Sequence, residues 1–170
     1  MKILVLNGSP HGKGNTAALT GAFVEGAESK GHEVTVIQVG TKKIGGCKAC
    51  EYCHTKGNGA CIQQDDMGEV YEALRDTDLL VLASPVYYFG WSGQLQDTIS
   101  RFYPMGKVAV KKGALILSSA SPNVYDGPVA QYRNMLRYFG AEDAGVFTFH
   151  GEENQSEQAL TQVREFGASL

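Results

Sequence analysis

The sequence predicts an α/β protein whose parallel sheet carries helices on both faces, and three observations support that expectation. Short apolar runs alternate with helical periodicities, strand then helix, five times along the 170 residues. The runs at 2–6, 79–83 and 113–119 are apolar at nearly every position, as strands covered on both faces are. The first of these runs leads into a glycine-rich loop, the second into an aromatic one and the third into serines, and such sheets bind ligands at those strand ends.

Residues 2–6 (KILVL) read as the first strand, closed by the turn Asn7-Gly8-Ser9-Pro10. From Asn15 the pattern turns helical, with Thr16, Leu19, Phe23 and Ala27 at three- and four-residue steps and Lys30-Gly31 as the stop. Residues 33–39 form a strand carrying Val34, Val36 and Ile37. Residues 40–65 hold glycines and cysteines without periodicity and read as an insertion loop. Asp65 and Asp66 stand where a helix cap belongs, ahead of Met67, Val70, Tyr71 and Leu74. Then come a strand at 79–83 and a helix at 91–103 with Leu95, Ile99 and Phe102 inward. A strand at 113–119, a helix at 129–139, a strand at 146–149 and a helix at 155–166 follow. Five strands in this length suit a flavodoxin-like three-layer sandwich of order 2-1-3-4-5, one domain over residues 1–170.

Composition narrows the function. With 43% hydrophobic and 19% charged residues the chain is an ordinary globular one, which excludes disorder. Fifteen basic against eighteen acidic residues leave a net charge of −3. No basic patch invites nucleic acid, and the balance is too mild for a carrier that docks by a strongly acidic face. No run reaches the length of a membrane span, and the apolar start leads into a glycine loop without a signal-peptide pattern, so a cytoplasmic location is expected.

Gly8-Ser9-Pro10-His11-Gly12-Lys13-Gly14-Asn15-Thr16 joins a strand to a helix. Small residues let backbone N–H groups approach an anion, Ser9 and Thr16 add hydroxyls, and the helix N-terminus adds its dipole, which together point to a phosphate group. Lys13 is followed by Gly14 and not by Ser or Thr, which disfavours a nucleoside-triphosphate loop. A relaxed dinucleotide pattern fits residues 12–17. It starts several residues after the strand, however, and the second strand ends Ile37-Gln38-Val39 without a ribose-binding acid. Beyond the third strand, Ser84-Pro85-Val86-Tyr87-Tyr88-Phe89-Gly90-Trp91 offers aromatic faces for a planar ligand. The same residues also suit a hydrophobic loop packed on its own helix or on another subunit.

Taken together, Gly8-Ser9-Pro10…Gly14-Asn15-Thr16, a cysteine cluster ending in Asp65-Asp66-Met67, and Ser84-Pro85-Val86-Tyr87 resemble the NADPH-dependent FMN reductase and iron–sulfur flavoprotein group over roughly residues 1–140. The resemblance implies a flavodoxin-like fold and a bound FMN. It places the FMN phosphate at Ser9, His11, Gly14, Asn15 and Thr16, with His11 standing where the family often has Arg. It places the isoalloxazine beside Pro85, Val86, Tyr87 and Tyr88, and the pyrimidine edge near Ser119, Ala120 and Ser121. The implied activity is oxidation of NAD(P)H and delivery of its electrons to a quinone, a nitro or azo compound, a free flavin or a redox protein. No obligatory acid–base residue is expected, although Tyr87 or Tyr88 is placed to position a substrate or donate a proton to it. Such proteins are usually dimers or tetramers, and residues 91–103 are the expected interface helix.

All four cysteines fall in one stretch, Cys47-x2-Cys50-x2-Cys53-x7-Cys61. Clustering of this kind favours metal, cluster or redox work over a disulfide framework, and soft thiolates select iron–sulfur clusters or zinc. The first three match ferredoxin spacing but the last gap is longer. The longer gap is allowed in the iron–sulfur flavoproteins that the chain resembles, which makes a [4Fe–4S] centre the alternative cofactor. Spaced by three, Cys47, Cys50 and Cys53 would equally lie on one face of a short helix as small buried apolar residues.

Overall fold

The computed structural model covers residues 1–170. Its five parallel strands are β1 (Lys2–Asn7), β2 (Glu33–Ile37), β3 (Leu79–Tyr87), β5 (Lys112–Ser119) and β6 (Glu142–His150), and they stand in the order β2-β1-β3-β5-β6. This is the expected 2-1-3-4-5 arrangement with one addition, a two-residue strand β4 (Gly90–Trp91) that pairs antiparallel with the end of β3. The helices are α1 (Asn15–Glu28), α2 (Met67–Leu74), α3 (Gly93–Ser100), α4 (Asp126–Phe139) and α5 (Glu157–Ser169).

Strand periodicity builds the layers. Alternate residues of the central strands point to opposite faces. Leu4, Leu6, Leu80, Leu82, Leu115 and Leu117 meet Met67, Val70, Leu74, Leu95 and Leu136 from α2, α3 and α4. Ile3, Val5, Val81, Ala83 and Ile116 face the other way, onto Leu19 and Phe23 of α1 and Val163 of α5. Both faces are therefore apolar, which is why the strand sequences show no polar alternation.

The helix expected over 129–139 starts at Asp126 and the strand expected over 146–149 runs from Glu142 to His150, and three further corrections bear on the site. The helix expected over 91–103 begins at Gly93, because Trp91 pairs with Val86 in the hairpin and Ser92 caps the helix by accepting the Leu95 amide. The third strand runs beyond Ala83 to Tyr87, since Ser84 and Pro85 continue the register with Leu117 and Ser118. Cys47, Cys50 and Cys53 do not share a helix face: only Tyr52–His54 forms a 3₁₀ turn, and of the three only Cys53 is buried.

Candidate active site

The glycine loop after β1 is held by its own side chains and by two neighbours. Asn7 Oδ1 accepts the Ser9 amide at 2.9 Å, and Ser9 Oγ accepts the His11 amide at 3.2 Å. Gln38 Nε2 donates to the Ser9 carbonyl at 2.8 Å. Gly40 passes so close that a Cβ there would lie 2.0 Å from that carbonyl oxygen, so the chain after β2 can lean on the loop only through a glycine. From the other side, Ser92 Oγ donates to the Gly8 carbonyl at 2.7 Å. Gly14 is the N-cap of α1, and no side chain caps that helix. Its first-turn amides therefore face the loop with their partial positive charge.

Three loops converge on a cleft of about 550 Å³ at the C-terminal ends of β1, β3 and β5. Ser9, His11, Gly14, Asn15 and Thr16 supply one wall, Pro85, Val86 and Tyr87 a second, and Ser119 and Ala120 a third. Thr16 Oγ1 and Ser118 Oγ, 2.8 Å apart, tie the first wall to the third. Ser119 Oγ lies 2.6 Å from the Tyr125 hydroxyl, which in turn donates to the Phe149 carbonyl at 2.7 Å. Tyr125 is thus a strut behind the cleft, and burial pushes its phenol up against the opposing pull of Ser119. Ser121 lies outside the lining, and its carbonyl, 2.7 Å from Ser119 Oγ, is the alternative acceptor for the proton that Ser119 shares with Tyr125.

Sequence reasoning missed Ser118, Gly151 and Asn154. Asn154 is only 1% exposed. Its Nδ2 donates to the Ser119 and Gly151 carbonyls, both at 2.8 Å, while Oδ1 is buried without a partner. The periodicity ahead of α5 carries no signal for this residue, because one partner lies in its own turn and the other is a backbone carbonyl of a distant loop.

Tyr88 and Phe89 form the two-residue turn between β3 and β4, with φ of +48° and +65°. Paired positive φ values at a hairpin tip normally select Asn-Gly, and a bulky residue in this region costs about 1–2 kcal/mol. The strain sits at the rim of the cleft, where Tyr88 is 98% exposed and Tyr87, half exposed, lines the opening.

The cysteines occupy a separate loop beside the C-terminal end of α3. Cys47 and Cys50 are exposed, Cys61 is half-buried, and Cys53 is buried. Burial pushes the Cys53 thiol up, and nearby Cys61, Glu51 and Cys47 act in the same direction against one backbone hydrogen bond. Positive φ at Ala49 and Glu51 brackets Cys50, and the Ala49 amide donates to Cys47 Sγ at 3.5 Å. No three His, Cys, Asp or Glu side chains converge to hold a single metal ion. Four soft donors in one loop nevertheless suit a multi-iron cluster by number and chemistry.

The sheet order and the cleft define a flavodoxin-like protein. The pattern of the NADPH-dependent FMN reductase family matches residues 1–154, and the chain belongs to that family. It is 36% identical over 151 residues to an iron-sulfur flavoprotein of Archaeoglobus fulgidus, covering 85% of this chain and 66% of the relative. An iron-sulfur flavoprotein of Methanosarcina thermophila is 34% identical over 101 residues, 59% of this chain and 52% of the relative. The chain therefore spans between about half and two thirds of the length of these relatives. Among solved structures, it superposes on the NAD(P)H:quinone oxidoreductase of Methanothermobacter marburgensis with a TM-score of 0.74 at 16% identity, over 99% of this chain and 95% of that one. The FMN-dependent NADH-azoreductase of Bacillus anthracis, solved in complex with FMN, gives 0.72 at 13% identity over 99% of both chains. At such identities the likeness establishes the fold. No helix is long and apolar enough to cross a membrane.

Proposed function

We propose that the chain is an FMN-dependent NAD(P)H oxidoreductase that binds FMN in the cleft at the ends of β1, β3 and β5. The observation that carries this reading is the convergence of ten of the twelve sequence-nominated cofactor residues on that cleft, in a chain of the FMN reductase family. The residues fit the group. The uncapped start of α1 with the hydroxyls of Ser9 and Thr16 suits the phosphate. Pro85, Val86 and Tyr87 offer apolar and aromatic faces to a ring system, and the unpartnered Asn154 Oδ1 is an acceptor in a site whose ligand carries hydroxyl and N–H donors.

Bound FMN supplies the hydride and electron chemistry. The protein's residues bind and orient. The first loop would hold the phosphate end, the Ser119–Tyr125–Phe149 strut supports the third wall, and Tyr87 in the lining with Tyr88 at the rim would border the place where a nicotinamide or a planar acceptor stacks. The cofactor needs no obligatory acid–base residue for hydride transfer, and Tyr87 is the phenol in the lining that can position a substrate or hand it a proton. The rim aromatics suit a wall completed by a neighbouring subunit, in a dimer or tetramer in the cytoplasm.

A second reading is favoured by the cysteine loop and by the names of the relatives: an iron–sulfur flavoprotein that passes single electrons between FMN and a [4Fe–4S] centre held by Cys47, Cys50, Cys53 and Cys61. Air-free purification, an absorption spectrum, and iron and sulfide assays on one sample test both. Two flavin bands without iron support the first reading; about four irons per chain support the second. A colourless protein that takes up no added FMN overturns both.

A further inference from the structure

Asp65 and Arg101 lie outside the cleft and take no part in the chemistry above, yet Arg101 is 0% exposed. Its guanidinium grips Asp65 with both prongs: Nη1 donates to Oδ2 at 2.7 Å and Nη2 to Oδ1 at 3.2 Å. Nη1 also donates to the Gly45 carbonyl at 2.8 Å, and the Gly45 amide donates back to Asp65 Oδ2 at 3.2 Å. One guanidinium, one carboxylate and one residue's peptide groups thus close on each other across the chain. The neighbours continue the stitching. Lys43 and Asp66 exchange two bonds, at 2.7 and 3.1 Å, and Gln63 Nε2 donates to the Gly46 carbonyl at 3.1 Å. The Cys47 amide donates to Ser100 Oγ at 3.0 Å, one residue before Arg101.

Residues 43–46 and 63–66 therefore form a closed stem, and every cysteine of the chain lies in the loop beyond it. We propose that the Arg101–Asp65 pair is a clasp that closes this stem before any metal arrives, and so ties together the two ends of the loop that carries the four thiols, leaving a thiolate-held metal centre only the thiols themselves to gather. A loop closed in advance has already lost the conformational freedom that metal binding would otherwise have to remove. The fork of an arginine suits this role, because it meets both carboxylate oxygens and still has an N–H left for Gly45. The metal half of the proposal rests on the second reading of the preceding subsection; the clasp half does not.

The test uses the full chain, free of iron, with alkylation by iodoacetamide followed at each cysteine by mass spectrometry. In the native protein buried Cys53 is expected to react slowly and exposed Cys50 fast. Arg101→Met alone leaves a partly buried carboxylate unpaired, so the paired change Arg101→Met with Asp65→Leu, which removes both charges, is the deciding variant. It is expected to keep its cooperative thermal transition and its FMN affinity within twofold while Cys53 alkylation rises at least tenfold. Air-free loading with ferrous iron and sulfide is expected to leave at least fivefold less bound iron than in the native chain, and Arg101→Lys is expected to restore part of both. Unchanged Cys53 protection in the double variant overturns the clasp. So does a loss of FMN affinity in step with thiol exposure, which makes the pair a general support of the fold. A native chain that takes up no iron, while the double variant still unmasks Cys53, overturns the metal half alone.

Discussion

Replacing Ser92 with alanine severs the junction on which the proposed cofactor loop depends. Ser92 is fully buried, and its hydroxyl accepts the Leu95 amide at 3.3 Å and donates to the Gly8 carbonyl at 2.7 Å. Its own amide donates to Ser84 Oγ at 3.0 Å, so α3, β3 and the loop after β1 meet at this one residue. Losing the cap costs about 1 kcal/mol, and losing the bond to Gly8 costs about another 1 kcal/mol. The sum, about 2 kcal/mol, lowers the thermal midpoint of a chain of this size by roughly 4–8 °C. The freed Gly8 carbonyl also loosens the phosphate loop, and if all of that bond's worth, about 1 kcal/mol, is felt at the site, the FMN dissociation constant rises about fivefold. Differential scanning calorimetry and FMN fluorescence titration measure the two effects on one preparation. Ser156 caps α5 in the same manner, through the Ala159 amide at 3.1 Å, but has no bond to the loop after β1. Ser156→Ala should therefore cost about 1 kcal/mol with FMN affinity unchanged. A Ser92→Ala midpoint within 1 °C of the native one, or an unaltered FMN affinity, would refute the reasoning.

Three further outcomes follow from the geometry. Burial works to raise the Asp65 carboxyl, but Arg101 and the Gly45 and Met67 amides outweigh it and hold it below the usual carboxylate range. Its contribution to stability is therefore full above the unfolded value of about 4 and is lost as pH falls through the lower folded value. Asp65→Asn should be less stable at pH 7 and show a shallower decline in urea midpoint below pH 4; parallel profiles would contradict this. Asn154→Leu removes the bonds to the Ser119 and Gly151 carbonyls. It should lower stability by about 2 kcal/mol and weaken FMN binding, and equilibrium dialysis showing native affinity would count against Asn154. Tyr88→Gly relieves the positive φ at an exposed tip and should be neutral or stabilising by up to about 1 kcal/mol, while turnover with planar acceptors falls. A destabilised protein with native turnover would reverse both expectations.

Much of this was legible in the sequence because its signals are local. Continuous apolar runs such as residues 79–83 mark strands covered on both faces, and small residues at strand ends mark the cleft walls. What escaped notice depends on distant contacts. Asn154 acts through carbonyls of Gly151 and Ser119, and the start of α3 is set by a hairpin whose turn residues, Tyr88-Phe89, contradict turn chemistry. Asp65 reads as a helix start, and its 3.2 Å bond to the Met67 amide agrees with that. Its bond to Arg101 joins residues 36 positions apart and leaves no periodic trace. The cysteine spacing suggested a shared helix face, whereas positive φ at Ala49 and Glu51 keeps the segment from becoming helical.

The most direct test of the central claim is anaerobic mixing of the FMN-loaded chain with NADPH while the flavin absorption near its long-wavelength band is followed. The account predicts that the band bleaches and that a quinone added afterwards restores it. Bound FMN that stays oxidised under excess NADPH and NADH would contradict the oxidoreductase reading.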